Sequence, residues 1–312
     1  MGEYALLHNN YSRAESEFSK ALSIAPNSPS ILQSLVDLKL YQGEYEEAIK
    51  YLKKIIKQSP ENIESVLKLV QFYIQDGKLN DANKLLDKTL EYNPGDIELL
   101  YALANIQYSN QDWPNMLKTY HTIYLSNTEN TNVLIKIYEI GLASGNESIV
   151  LKILQEIQLD DETPLVLELL VELLSGMQKY TKAIFFGQKL KEIDKNNDQR
   201  IISLGELYLL NNQFDHVITT VEPIYHSGNH SLEVLRLLLI AYSSVGKPEE
   251  QITICLILIE EYPDLTIGYE ALSFAYLDVG NEVDALYMLH QALIIFPNEV
   301  TFIHTLANIY YQ

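Results

Sequence analysis

Apolar residues recur along this chain at helical spacing, in paired segments that are separated by short polar turns. In residues 29–43 the apolar positions from 31 to 38 fall on one side of a helix, and the segment stops at Gly43, which accepts a positive φ at little cost. A second apolar face follows in EYEEAIKYLKKIIKQSP, which ends at Pro60 because proline cannot continue a helix. The pattern predicts an all-α chain of antiparallel helix pairs.

The helix pair repeats with a period of 34 residues. Four residue types keep this step in the same register: Pro26, Pro60 and Pro94; Ala14, Ala48 and Ala82; Gly246 and Gly280; and Tyr208, Tyr242, Tyr276 and Tyr310. One residue is missing from the register between Gly145 and Ala183. A pair this short cannot bury its apolar face alone, so neighbouring pairs must stack and stability becomes a sum over adjacent repeats.

Several positions of the repeat resemble a known family pattern. The segment YSRAESEFSKALSIAPNS carries Ala14, Phe18, Ala21 and Pro26 in the spacing of the second helix, and Leu204-Gly205 with Tyr208 fits the first. These residues resemble the tetratricopeptide repeat, a 34-residue helix–turn–helix, over the whole chain. The resemblance implies a right-handed superhelical solenoid of antiparallel helix pairs.

The register predicts one continuous array over residues 1–312. It comprises a partial repeat over 1–28, eight repeats over 29–299 and a lone terminal helix over 300–312. The repeats begin at Pro29, Ile63, Ile97, Thr131, Pro164, Asp198, Leu232 and Thr266. The terminal helix is more apolar than a cap that faces water should be, so we expect the chain to be a fragment or a segment of a longer repeat protein.

Composition excludes several classes of protein. The chain has 22 Lys and Arg against 42 Asp and Glu, a net charge of −20, and 47 % of its residues are hydrophobic, so it is not a disordered acidic tail. The negative charge argues against binding to nucleic acid or to an anionic membrane, which both need clustered cations. No signal peptide is recognisable, and the longest apolar run, ITICLILI, is too short to span a bilayer. These features predict a cytoplasmic protein.

No motif in the sequence indicates an enzyme. There is no Gly-rich phosphate loop, no His-Glu-x-x-His and no Gly-x-Ser-x-Gly. His226 and His230 have a spacing that suits a metal, but they flank a predicted turn without a third ligand, so a surface pair is favoured. The single cysteine, Cys255, falls where an aromatic residue or leucine packs, which favours a buried inert thiol. The sequence therefore predicts no catalytic residue, no cofactor and no metal site.

The resemblance directs attention to the first helix of each repeat. In the family, positions 2, 5, 9, 12 and 13 of that helix line a concave groove. In this chain those positions hold eleven acids and, as their one cation, Arg236; the acids are Glu3, Asp37, Glu64, Glu98, Glu139, Glu168, Glu172, Glu206, Glu233, Glu270 and Asp278. Glu139, Glu172 and Glu206 share one position in three consecutive repeats, which predicts an acidic stripe. The alternative is a groove that is only solvated, since an acidic protein has acidic faces everywhere.

The function predicted from this groove is a non-enzymatic protein–protein interaction scaffold that binds a Lys/Arg-rich protein or peptide in an acidic, tyrosine-lined concave groove, into which Tyr101, Tyr108 and Phe274 also project. The groove lacks the Lys, Arg and Asn set with which some family members hold a carboxylate terminus. An alternative is the recognition arm of a larger enzyme or envelope-assembly protein; RNA reading is disfavoured by charge and period. The predicted partner-binding residues are Glu98, Tyr101, Tyr108, Glu139, Glu168, Glu172, Glu206, Glu233, Arg236, Glu270 and Phe274.

Overall fold

The computed structural model of the chain describes residues 1–160 and 163–311, which contain 19 α-helices and no strand. The prediction of an all-α fold is confirmed. The chain divides into two compact units, Met1–Ile153 and Leu154–Gln312, and the division falls inside one helix. The partition into a single array of eight full repeats stays a prediction.

The first unit holds helices α1 to α9 and the start of α10. Their bounds are α1 Gly2–Leu7, α2 Tyr11–Ile24, α3 Pro29–Gln42, α4 Tyr45–Gln58, α5 Ile63–Gln75, α6 Leu79–Leu90, α7 Ile97–Ser109, α8 Trp113–Ser126, α9 Asn132–Ala143 and α10 Glu147–Asp160. Consecutive helices from α1 to α9 pack against each other, and the first helices α5 and α7 also touch. This unit is therefore a stack of helix pairs.

The second unit holds the end of α10 and nine further helices. These are α11 Pro164–Gly176, α12 Tyr180–Ile193, α13 Asp198–Leu210, α14 Phe214–His226, α15 Leu232–Val245, α16 Pro248–Glu261, α17 Thr266–Asp278, α18 Glu282–Ile295 and α19 Val300–Tyr311. From α11 onward each helix packs on the next, and the first helices α13 and α15 also touch.

Local sequence signals set the helix ends. Gly43 and Gly246 take left-handed φ values of 74° and 69° directly after α3 and α15, which lets their amides return to the carbonyls of the last turn. At the other end, the side chains of Asn62 and Asp96 accept hydrogen bonds from backbone amides in the first turns of α5 and α7. The helix ends predicted at glycine thus result from its left-handed backbone conformation, and the helix starts described here result from side-chain caps.

Small residues let the two helices of a pair approach closely. Ala48 and Ala82 have no exposed surface. Tyr138 stands at the first-helix position where a small residue is expected, yet α9 still comes close to α10, because Gly141 one turn later faces Val150 and a Cβ there would collide with that side chain. The space for the crossing is therefore supplied by a different residue of the same helix.

Polar side chains fix the packing between repeats in the second unit. The Nε2 of Gln188 on α12 donates to the Tyr208 hydroxyl on α13 at 2.8 Å, and the Tyr242 hydroxyl on α15 donates to Glu222 on α14. The same pairing recurs between His290 and Tyr310, whose polar atoms are 3.2 Å apart. Tyr208, Tyr242 and Tyr310, three of the tyrosines at the 34-residue step, thus each tie a first helix to the second helix before it.

In the first unit, ion pairs of Lys39 on α3 join that helix to α2 and to the residue before α4. The Lys39 side chain is 7 % exposed, and its Nζ lies 2.6 Å from Glu15 Oε1 on α2 and 2.8 Å from Glu44 Oε2 before α4. Burial disfavours the ammonium, but the hydrogen bonds to Glu15 and Glu44 outweigh that effect and raise the pKa of Lys39. The hydrogen bond from Lys39 in turn lowers the pKa of Glu15. The buried ammonium depends on both carboxylates.

We expect the double variant Glu15→Ala/Glu44→Ala to lose about 1–3 kcal/mol of unfolding free energy, because it leaves a buried ammonium without an anion. Lys39→Met should cost much less, since both carboxylates are nearly half exposed and stay hydrated. Urea unfolding followed by fluorescence of Trp113, the single tryptophan, reports on this unit. Equal losses for the two variants would contradict the argument.

The same network predicts a pH dependence. Glu15 has a folded pKa below its ordinary value of 4.5, so its contribution is present above that value and is lost as the pH falls through the lower, folded pKa. The stability difference between wild type and Lys39→Met should therefore shrink in acid relative to neutral pH, in the same urea assay. A difference that grows in acid would contradict the sign.

Candidate partner-binding surface

The predicted aromatic contacts of the first unit lie on α7 and are oriented by α8. Tyr101 is 38 % exposed and meets the ring of Tyr120 edge-on at 6.1 Å between centroids. Tyr108 is 61 % exposed and meets Trp113 edge-on at 5.5 Å. Each tyrosine is thus held from behind by an aromatic residue while one face stays free for a partner. Glu98 lies exposed on the same helix.

Lysines neutralise part of the negative charge on the first helices of this unit. Lys68 Nζ lies 2.8 Å from Glu64 on its own helix and 3.4 Å from Asp37 on α3, and Lys136 lies 3.8 Å from Glu139. Both lysines stand at position 6 of their repeats, which directly follows groove position 5. The sequence argument counted groove positions only and therefore did not include them. The pairs Glu64/Lys68 and Lys136/Glu139 have helical salt-bridge spacing, and that spacing was the signal in the sequence.

In the second unit, three predicted glutamates meet at one cleft. The cleft has a volume of about 730 Å³ and lies between α11 and α13 over part of α12. Glu168 and Glu172 on α11 and Glu206 on α13 line it. The remaining lining residues are Val171, Ser175, Gly176, Gly187, Leu190, Gln199, Arg200, Ser203, Leu204, Leu207 and Leu210.

Arg200 is a cleft residue that the sequence argument missed. Its Nη2 lies 2.9 Å from Glu168 Oε1, and its side chain is only 18 % exposed. Arg200 stands at position 3 of its repeat, outside the groove positions, and its partner is 32 residues away on another helix. Glu168 is therefore neutralised inside the cleft, and no local spacing in the sequence indicates the pair.

Glu172 and Glu206 keep their charge uncompensated. Within residues 163–311, neither has a cation at ion-pair distance, and both side chains are exposed at the mouth of the cleft. The surrounding walls nevertheless desolvate Glu206, and this burial, with a smaller effect of the nearby Glu233 charge, raises its pKa. A cation bound beside Glu206 would offset the repulsion between Glu206 and Glu233.

The other predicted residues of this unit lie outside the cleft. Glu233 and Arg236 are exposed on α15, while Glu270 is half-buried and Phe274 is 44 % exposed on α17. The structure thus separates the predicted set into a cleft group on α11 and α13 and exposed residues on later first helices.

The single cysteine and the histidine pair noted in the sequence do not line the cleft. Cys255 is fully buried, and burial raises its pKa to about 12, so its thiol is unreactive at neutral pH. His226 and His230 both pack on the Tyr225 ring, with centroids 5.0 Å and 5.2 Å away. No group of three or more His, Cys, Asp or Glu suited to a metal occurs in the described part of the chain. Over the same residues, no helix has the length and apolar character needed to cross a membrane.

The desolvated position of Glu206 leads to a prediction for its pKa. We expect its carboxyl to titrate above the ordinary value of 4.5 in the folded chain, and Glu233→Gln to lower that pKa partway, because burial is the larger cause. The measurement is a pH titration of the side-chain carboxyl carbon by NMR in selectively labelled protein. A Glu206 pKa at or below 4.5 in the wild type would contradict the desolvated position.

Comparison with known proteins adds family evidence to this geometry. Residues 39–106 match the family profile described as tetratricopeptide repeat. No curated protein matches the sequence.

A solved structure shows the fold. A chain of the Naa15/Naa10 complex bound to HypK-THB superposes with a TM-score of 0.60 at 12 % identity, covering 88 % of this chain and 43 % of its own length. MamA from Desulfovibrio magneticus RS-1 superposes with a TM-score of 0.47 at 16 % identity, and the match covers 55 % of this chain and 97 % of the MamA chain. The P58(IPK) TPR domain superposes with a TM-score of 0.30 at 15 % identity, and the match covers 99 % of this chain and 95 % of that domain. This chain therefore spans less than half of the Naa15/Naa10 complex chain that it resembles.

The helix pairs stack with a 34-residue period in both units, and their fold is that of the Naa15/Naa10 complex chain. The family match covers residues 39–106, so the tetratricopeptide repeat is shown for that segment, and the remaining helix pairs are similar in fold to the Naa15/Naa10 complex chain.

Proposed function

We propose that this protein is a non-enzymatic scaffold that binds a Lys/Arg-rich segment of another protein along its first helices. A tetratricopeptide-repeat fold is that of a protein–protein interaction scaffold. The observation that supports a basic partner most directly is the uncompensated pair Glu172 and Glu206 at the mouth of the cleft. An ammonium or guanidinium group placed there would gain two carboxylates that have no cation of their own.

Charge over the whole molecule favours the same partner. A net charge of −20 attracts a cationic segment over a distance of about one Debye length, roughly 8 Å at physiological salt. This long-range attraction accelerates encounter, and close contacts at specific residues decide where the segment stays. The partner should therefore combine many positive charges with side chains that fit the local surface.

The two units contribute differently to this proposal. In the first unit, Lys68 and Lys136 already satisfy three acids, so the exposed faces of Tyr101 and Tyr108 provide the main contacts. In the second unit, the acids at the cleft and Glu233 on α15 provide the charge. We assign electrostatic capture chiefly to the second unit and flat apolar contacts to the first.

A second candidate function is the recognition arm of a larger protein. The Naa15/Naa10 complex chain with the same fold is more than twice as long as the region that this chain covers, since only 43 % of it is matched. In that arrangement the repeats would still bind a partner segment, and an activity would reside in other parts of the polypeptide or in an associated subunit. Mass determination of the native polypeptide distinguishes the two candidates.

We expect Glu172→Gln/Glu206→Gln to weaken binding of a fluorescein-labelled Lys/Arg-rich 12-residue peptide roughly tenfold, because the pair supplies the local charge. Affinity of the wild type should also fall steeply between 50 and 300 mM NaCl. Fluorescence anisotropy titrations measure both effects.

The matched control is Glu260→Gln/Glu261→Gln, which removes the same charge from exposed positions at the end of α16. This control should retain most of the affinity. Equal weakening by both double variants would mean that only net charge matters, and unchanged binding in Glu172→Gln/Glu206→Gln would refute a role for the cleft glutamates.

A further inference from the structure

The second helix of one repeat lacks a side chain that the others possess. Position 24 of the repeat is held by Phe18, Leu52, Leu86, Tyr120, Leu154, Val221, Cys255 and Leu289. All of these are buried except Tyr120, which is half-buried. On α12 the corresponding residue is Gly187, which is buried and lines the cleft of about 730 Å³. The cleft therefore adjoins the position where the repeat pattern omits a core side chain.

Two leucines of α13 occupy the position that a side chain of Gly187 would take, and the cleft continues beside them. A Cβ at Gly187 would lie 3.1 Å from Leu204 Cδ1 and 3.4 Å from Leu207 Cδ1, so α13 has approached the helix backbone. The remaining volume corresponds to on the order of twenty waters at liquid density. It is large enough to admit a side chain together with adjacent backbone of a bound segment.

The cleft has an apolar floor and a charged rim. Leu190, Leu204 and Leu207 are at most 5 % exposed and form the floor beside Gly187. Glu172 and Glu206 are exposed at the rim, while Glu168 is already paired with Arg200. Water against such a floor lacks hydrogen-bond partners and is readily displaced by an apolar group.

We propose that this cleft is an anchor pocket, which takes one large apolar side chain of the partner segment while Lys or Arg residues beside it pair with Glu172 and Glu206. The proposal rests on the proposed function and specifies the partner further. A lysine inserted into the floor would lose its hydration against the leucines, and an acidic residue would be repelled at the rim. A partner segment that fits both the apolar floor and the charged rim carries a leucine, methionine or phenylalanine flanked by Lys or Arg.

Selection of a displayed library of random 12-residue peptides on the full chain tests this proposal. We expect the enriched sequences to carry one large apolar residue between Lys or Arg residues. In synthetic versions of these peptides, replacing the apolar residue by alanine should lower affinity for the wild type roughly tenfold or more, because an anchor in a central pocket carries much of the binding energy. Enriched sequences without such a residue, or no enrichment, would overturn the proposal.

Protein variants locate the effect. Gly187→Leu restores the side chain that other repeats carry and should lower the affinity of the selected peptides roughly tenfold. Thr181→Leu adds the same side chain at an exposed position of the same helix and should change affinity less than twofold. Binding to Gly187→Leu that equals wild-type binding would overturn the anchor pocket.

Integrity of the second unit is monitored through its single buried thiol. Cys255 should stay unreactive toward a thiol reagent in folded Gly187→Leu, as in the wild type. If Gly187→Leu exposes this thiol, Gly187→Ala takes its place, since a Cβ requires only a small shift of a leucine side-chain tip. The alanine replacement in the peptide tests the anchor without any change to the protein.

The outcomes separate the two proposals. Salt-dependent binding that is sensitive to Glu172→Gln/Glu206→Gln but indifferent to the apolar residue and to Gly187→Leu would retain the proposed function and overturn the anchor pocket. Dependence on the apolar residue and on Gly187→Leu, without sensitivity to the glutamates, would overturn the requirement for flanking cations and the basic-partner proposal with it. Sensitivity to both sets of changes supports both proposals.

Discussion

The structure depends on the close crossing of two short helices, because neither helix can bury its apolar face without the other and without the next pair. Alanines at one repeated position of the second helix make this crossing possible, and all of them are fully buried: Ala14, Ala48, Ala82, Ala183 and Ala285. Where a larger residue takes that position, the partner helix compensates. Val150 packs against Gly141, for example, where the absence of a side chain on α9 makes room for the larger residue on α10.

Such compensation explains how far the sequence predicts the fold. Helix pairs, their turns at Gly43 and Gly246 and the buried alanines follow from a period of 34 residues, because each signal is local or recurs at a fixed step. Lys39 was not predicted to be buried, since its two carboxylate partners come from other elements and only the folded chain brings them together. The same reason applies to Arg200, whose partner lies 32 residues away.

Charge at the binding surface shows a related limit. Counting residues at groove positions treats each carboxylate as free, whereas long cationic side chains reach those carboxylates from neighbouring positions. Asp37 and Glu64 share Lys68, and Glu168 binds Arg200. In the proposed scaffold, the charge left after internal pairing would attract the partner, and at the cleft this charge lies on Glu172 and Glu206. The sequence predicts an acidic surface, and the contacts between helices determine which of its acids are already paired.

The cleft persists because its walls are tied from several sides. The ion pair between Arg200 and Glu168 joins α13 to α11, and Gln188, the residue after Gly187, holds Tyr208 farther along α13. Collapse onto Gly187 would have to break or distort these bonds, and repeat packing also holds α13 against α14 and α15. A missing core side chain normally destabilises a protein through the cavity that it leaves. Here Leu204 and Leu207 pack against Gly187 while the polar ties hold the cleft open beside it, and a departure from the repeat pattern is the kind of feature that marks a functional site.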